Sequence, residues 1–212
     1  MKKVHAVLDF SGPGAVFAVR VDGEKIFEKY RLMQRRDAAS FALFLQDSLQ
    51  GHGLEFQDIT EWTVGSGPGS FTGMRIAASL VQGLTFGKNI RTRTVPSAEA
   101  VALGGKCSRN KACVIFDGRN KEIILLDLKS GCEAILNREQ AEKFFKENEF
   151  EEFAAMQYDR NAVSMIVPQE IADRINWAES LDTAAFFDSE NEFDNDLTKL
   201  IYIRPSVAGA QE

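Results

Sequence analysis

The residues best placed to do chemistry lie in Val64-Gly65-Ser66-Gly67-Pro68-Gly69-Ser70-Phe71-Thr72-Gly73-Met74-Arg75-Ile76. Glycines this dense mark a backbone that turns sharply or lets a ligand or second backbone come very near. Glu61 to Val64 reads as a short buried strand and Ile76 onward has helical spacing. The loop therefore sits at a strand's carboxyl end, the usual ligand position in an open α/β sheet. Phosphate binding is one chemistry available there, because a helix amino terminus offers unpaired N–H groups and a partial positive charge. Its candidate residues are Asp9, Ser11, Gly67, Gly69, Ser70 and Gly73, with Thr72 adding a hydroxyl. Neither common nucleotide fingerprint is complete. Gly73 is followed by Met74 and Arg75 rather than Lys and Ser/Thr, and Gly65, Gly67 and Gly69 lack the two-residue gap before a third glycine. Two other readings stay open: a tight connection in which glycines let strand and helix pack closely, and a docking surface where Ala77, Ala78 and Gly83 admit another helix.

Asp9 and Asp117 end two similar apolar strands, each before a turn, and a pair of carboxylates so placed could hold Mg²⁺ with substrate oxygens. Asp before a glycine turn is also ordinary turn chemistry. The only histidines, His5 and His52, form no HxxxH or HExxH pair; His5 is expected at a partly buried or edge strand position and His52 in a solvated Gly-His-Gly turn. No serine or cysteine stands in a GxSxG elbow. Cys107, Cys113 and Cys132 lack CxxC spacing, so structural thiols are expected rather than a disulfide framework or a zinc site. No metal site and no catalytic residue is assigned.

The elements that position these residues follow from pattern. Val4 to Phe10, Ala15 to Val21 and Ile26 to Leu32 read as three strands, with Asp22-Gly23 as a hairpin turn. A helix from Asp37 to Gln50, a strand at Thr60 to Val64, the glycine loop, a helix to Phe86 and a strand at Arg91 to Val95 complete a ribonuclease-H-like α/β order. Lys111 to Gly118 and Glu122 to Leu128 repeat the opening hairpin. A charged helix at Arg138 to Glu147, a strand near Val163 to Val167 and a last strand at Leu200 to Ile203 follow. Two such halves, 1–104 and a smaller, degenerate 105–212, describe an α/β, actin-like plan of two lobes.

Composition fits this. With 44% hydrophobic and 26% charged residues the chain can bury a substantial core, and no apolar run is long enough for a membrane helix, so the cytoplasm is the expected location. A net charge of −6 argues against broad nucleic-acid binding by this chain alone. Trp177 to Asp196 contains seven Asp and Glu and no Lys or Arg, readable as a solvated helix and loop or as a contact for a basic partner. On Asp37 to Gln50 a core stripe can be drawn through Ala38, Phe41, Ala42, Leu45 and Leu49, which leaves Leu43 and Phe44 off it and suggests a second contact.

GPGSFTGMRIA, residues 67–77, followed by Thr94-Val-Pro-Ser-Ala-Glu-Ala-Val-Ala, resembles the bacterial TsaB (YeaZ) family of tRNA threonylcarbamoyladenosine synthesis. Asp9-Phe10-Ser11 is similar to the family's Asp-Thr-Ser opening, and Asp117-Gly118-Arg119 and Tyr202-Ile203-Arg204 look like later landmarks. The resemblance implies an actin-like fold and a noncatalytic partner of a TsaD-type transferase, assisted by a TsaE-type ATPase. Transfer of the threonylcarbamoyl group to the tRNA adenosine beside the anticodon would then belong to the partner. It implies tRNA contact only through the complex, a homodimer when alone, no tightly bound cofactor and ATP or ADP at the partner interface. The implied interface, on the first two helices, takes in Phe41, Phe44, Leu45, Ser70, Phe71, Thr72, Met74, Arg75 and Ala78. The alternative is an ATPase or phosphotransferase of the same superfamily using Asp9, Asp117 and the Gly67–Gly73 loop. Phe10 replaces the family's small hydroxyl residue, and Arg35-Arg36-Asp37 stands where many relatives carry His-Ser.

Overall fold

A computed structural model describes residues 2–32 and 38–201. The chain divides into two compact units, one formed by residues up to Ser97 together with Thr183–Leu200, the other centred on Ala98–Asp182. The boundary expected at 104/105 thus falls earlier, and the chain returns to its first unit, which a linear reading of composition does not reveal.

In the first unit β1 (Val4–Asp9) is wholly buried at the centre of a sheet ordered β3-β2-β1-β4-β5. β2 (Gly14–Val21) and β3 (Glu24–Leu32) are antiparallel additions, whereas β4 (Glu61–Gly65) and β5 (Arg91–Val95) run parallel to β1. Asp22 and Gly23 both take positive φ in the β2–β3 turn, as a tight hairpin of the expected hand requires. The edge strand β3 alternates in burial, while central strands covered on both faces read as continuous apolar runs. α1 (Ala38–Gln50) and α2 (Phe71–Thr85) cover one face, where Phe41, Leu45, Leu49, Ala77 and Val81 join Ala6, Leu8, Phe17 and Trp62 in one core. The register Leu8↔Val64 and Gly65↔Val95 brings the carboxyl ends of β1, β4 and β5 level with one another.

The second unit begins within α3 (Ser97–Gly104) and repeats the plan. β6 (Ala112–Arg119) is central, β7 (Glu122–Asp127) and β8 (Glu133–Asn137) are its antiparallel neighbours, and β9 (Glu152–Met156) and β10 (Ile175–Ala178) its parallel ones. The order β8-β7-β6-β9-β10 matches β3-β2-β1-β4-β5 element for element, so the chain has the duplicated α/β, actin-like fold. α4 (Arg138–Glu147) is opened by a capping box between Asn137 and Gln140, and Phe145 and Phe153 anchor a core of this unit's own. The short helices α5 (Arg160–Ser164), α6 (Gln169–Ala172) and α7 (Ala184–Phe187) complete the α-helices of the described residues, α7 lying in the first unit.

Three expectations are corrected. The run Val163 to Val167 forms no strand: α5 ends at Ser164 and a turn follows, with Val163, Ile166 and Val167 in the core, because a short apolar run before a proline has no period that separates helix from strand. β8, β9 and β10 have no counterpart among the predicted strands. Two alanines in β9 and the brevity of β10 hide their period. Leu200 and Ile201 are not in a strand, and Tyr202 to Arg204, like Arg35 to Asp37, lie outside the described residues. Cys107 and Cys113 are buried, Cys132 is exposed and all three are free thiols, with burial pushing Cys107 and Cys113 up.

Candidate functional site

Asp9 ends β1 completely buried. Its Oδ1 accepts from the Ser11 backbone N–H at 3.0 Å and the Ser11 hydroxyl at 2.8 Å, and its Oδ2 accepts from the Ser97 hydroxyl. Burial raises its pKa, and the bonds from Ser97 and Ser11 oppose that rise. Ser97 Oγ in turn accepts from Gly67 N–H at 3.0 Å, while Ser97 N–H donates to the Gly67 carbonyl at 2.8 Å. Ser70 N–H donates to the Ser11 carbonyl at 2.6 Å, and as N-cap of α2 the Ser70 hydroxyl accepts from Gly73 N–H at 3.2 Å.

The glycines serve close approach. A Cβ on Gly65 would lie 1.7 Å from Asp9 Oδ2, one on Gly69 2.3 Å from the Ser11 carbonyl oxygen and one on Gly73 2.0 Å from that of Phe10. The three encircle the turn between β1 and β2. This geometry limits the phosphate assignment of Asp9, Ser11, Gly67, Gly69, Ser70 and Gly73. The N–H groups of Gly67, Ser70 and Gly73 already have acceptors inside the chain, and the Asp9 carboxylate already has three donors. Those three N–H groups and that carboxylate are therefore not free to receive a phosphate.

The equivalent strand end in the second unit is built differently. Asp117 N–H donates to Asp159 Oδ2 at 3.2 Å, and Asp117 itself accepts from Arg119 N–H at 2.8 Å and pairs with its guanidinium at 2.9 Å. Burial, joined by the nearby Asp117 charge, pushes the Asp159 carboxyl up to about 6. Arg119, Asn120 and Lys121 all take positive φ, a turn whose position the sequence indicated but whose conformation it did not. Among the described residues no three His, Cys, Asp or Glu side chains gather as a metal would need.

The other face of the first sheet carries a polar row that sequence reading missed. Strand register aligns Arg20, His5, Glu61 and Arg91 across four strands, with Thr63 and Arg93 in the next row. Glu61 pairs with Arg91, and Lys3 Nζ lies 3.2 Å from its Oε2 as an ion pair without hydrogen-bond geometry. His5 Nε2 meets Thr63 Oγ1 at 2.9 Å. Burial first, then Arg93, Lys3, Arg20 and Arg91, lowers the imidazole to about 3. The segment Thr183–Leu200 covers this row. Arg93, 4% exposed, donates to the carbonyls of Phe186, Phe187, Ser189 and Asn191. Arg20 pairs with Asp188 at 2.5 Å, and Asn195 exchanges hydrogen bonds with Thr92 along the free edge of β5. From Thr183 on, the stretch is thus held to its own unit through its backbone and the Arg20–Asp188 pair, while Asp188, Glu190, Glu192 and Asp194 stay exposed to solvent.

Of the expected partner-interface residues, Phe41, Leu45, Met74 and Ala78 are buried in their own unit, a correction that follows from the helices' inner faces packing on the sheet. A charge at Ala78 would test folding rather than docking. Phe44 is half-buried, Phe71 lies under the Arg75 guanidinium at 3.7 Å, and Ser70, Thr72 and Arg75 are exposed. Leu43 is 58% exposed in mid-α1, and Phe86, just beyond α2, is 85% exposed. Their outward side was legible for Leu43, which falls off the core stripe, and not for Phe86.

The model of the family described as TsaD: tRNA N6-adenosine threonylcarbamoyltransferase matches residues 31–176, more than half of the chain. Among curated relatives, the tRNA threonylcarbamoyladenosine biosynthesis protein TsaB of Haemophilus influenzae is 32% identical over 45% of this chain and 40% of its own length. The Escherichia coli protein of the same description is 28% identical over 55% and 52%. The chain belongs to this family, on its TsaB (YeaZ) branch. It spans about half the length of the TsaB relatives it matches. A Pseudomonas aeruginosa structure described as similar to the peptidase YEAZ superposes with a TM-score of 0.68 at 21% identity, over 95% of this chain and 100% of that one. A second YeaZ structure from that organism gives 0.64 at 21% identity, over 88% and 89%. At that identity the likeness establishes the fold alone. Among the described residues no helix is long and apolar enough to cross a membrane.

Proposed function

We propose that the chain is a noncatalytic, cytoplasmic scaffold of tRNA threonylcarbamoyladenosine synthesis, pairing through α1 and the amino end of α2 with a TsaD-type transferase. A TsaE-type ATPase assists the pair, which modifies the tRNA adenosine beside the anticodon. The observation that carries this reading is the outward side of α1, where Leu43 stands largely exposed beside half-buried Phe44 while the adjoining loop is closed on itself. An apolar side chain there gains by being covered, whether by the transferase or, in its absence, by a second copy. The names of the TsaB relatives support the pathway. With a net charge of −6 the chain leaves most of the tRNA to its partners. A nucleotide at the junction would draw on the partner's donors, since the N–H groups of Gly67, Ser70 and Gly73 are engaged within the chain.

Leu43→Glu tests this. Mixed with the TsaD-type transferase of the same organism, the wild-type chain should form a new species by size-exclusion chromatography with light scattering. The variant, with unchanged circular dichroism and melting, should bind about tenfold more weakly or worse. Undiminished pairing would move the interface elsewhere. ATP hydrolysis by the isolated chain that disappears in Asp9→Asn would favour the ATPase reading instead.

A further inference from the structure

We propose that Asp9, through Ser11 and Ser97, is a positioning clamp that fixes the amino end of α2 for docking; this rests on the interface reading above. Two struts leave one buried carboxylate. Through Oδ2 the first runs to the Ser97 hydroxyl and on to Gly67 N–H, so the loop's first turn is anchored beside β5. Through Oδ1 the second holds Ser11 by its N–H and its hydroxyl, and the Ser11 carbonyl then receives Ser70 N–H, the N-cap of α2. Gly65, Gly69 and Gly73 leave no slack around these struts, because even a Cβ at each would collide with Asp9, Ser11 or Phe10. The exposed residues Ser70, Thr72 and Arg75 stand at or within a few residues of the N-cap so held. In this chain an aspartate at the strand end thus orders a surface. Ser97→Ala is the sharpest disruption, since it leaves Gly67 N–H and Asp9 Oδ2 buried without partners. Ser11→Ala is milder, since the backbone N–H still reaches Oδ1.

The test is amide hydrogen exchange on the isolated full chain, paired with binding to the TsaD-type transferase. In Ser97→Ala the amides of Gly67, Ser70 and Gly73 should exchange about 10- to 100-fold faster, as loss of one buried hydrogen bond implies. Ala6 to Leu8 in β1 should keep their wild-type protection. Ser11→Ala should show a smaller increase at Ser70, and Ser97→Thr, which keeps the hydroxyl, should restore protection. Affinity for the transferase should fall with loop protection across the series. Exchange that is unchanged, or that rises equally in β1, would overturn the clamp. Full affinity despite a loosened loop would overturn its role in docking. If the wild-type chain itself does not bind the transferase, the interface reading fails, and the exchange series still decides whether the clamp exists.

Discussion

His5 sits neutral among Lys3, Arg20, Arg91 and Arg93, with Glu61 and Thr63 beside it and Phe187 and Phe193 against its ring. The unfolded chain binds this proton near pH 6.5 and the folded chain only near 3. The stability it contributes is therefore complete above pH 6.5 and is lost as pH falls toward 3, on the order of 4 kcal/mol over the full window. His5→Gln, which can still bond Thr63, should flatten that part of the decline in a series of urea midpoints from pH 7 to 4. Asp159 has the opposite sign. Its carboxyl titrates near 6 when folded against 3.8 unfolded, so its favourable contribution is present below pH 3.8 and is lost as pH rises through 6. Asp159→Asn should raise stability at pH 7.5 by about 1–2 kcal/mol and change it little at pH 4. Neither shift could be read from sequence, because each is set by burial and by charges from neighbouring strands or turns.

Within α2 the same substitution should act in opposite directions. Gly83 faces open space, so Gly83→Ala should stabilise by about 0.5–1 kcal/mol through helix propensity. Gly73→Ala would place a methyl against the Phe10 carbonyl and should cost about 2 kcal/mol or more. Thermal melting of the two single variants checks both. The strand–loop–helix order around these glycines was legible in the sequence, since turn chemistry and helical period are local. β9 was not, because Phe153, Ala154 and Ala155 owe their strand state to pairing with β6 and β10.

On the scale of the whole chain, the return of Thr183–Leu200 to the first unit decides what the acidic stretch does. Arg93 is its main anchor, and Arg93→Met would leave four carbonyls without that donor and remove the guanidinium that lies over Phe193. A loss of about 3 kcal/mol is expected, with limited proteolysis cutting between Asp188 and Asp196 before any other internal site. Arg20→Gln, whose partner Asp188 is 58% exposed, should cost under about 1 kcal/mol in the same melting experiment. The difference follows from desolvation: a buried guanidinium leaves its acceptors unpaired when it goes, whereas an exposed carboxylate returns to water.

The sequence by itself determined the opening hairpin, the parallel strands after it, the glycine loop opening onto α2, the echo of that order beginning at Lys111 and the family. Each is written in neighbouring residues, as alternation, helical period, turn dipeptides or a contiguous motif. Only the tertiary structure decided that Asp9 faces its own serines, that Phe41, Leu45, Met74 and Ala78 point inward, and that an acidic segment closes on Arg20 and Arg93. Those outcomes depend on which strands become neighbours and which side of each helix meets them, and they join residues up to 168 positions apart.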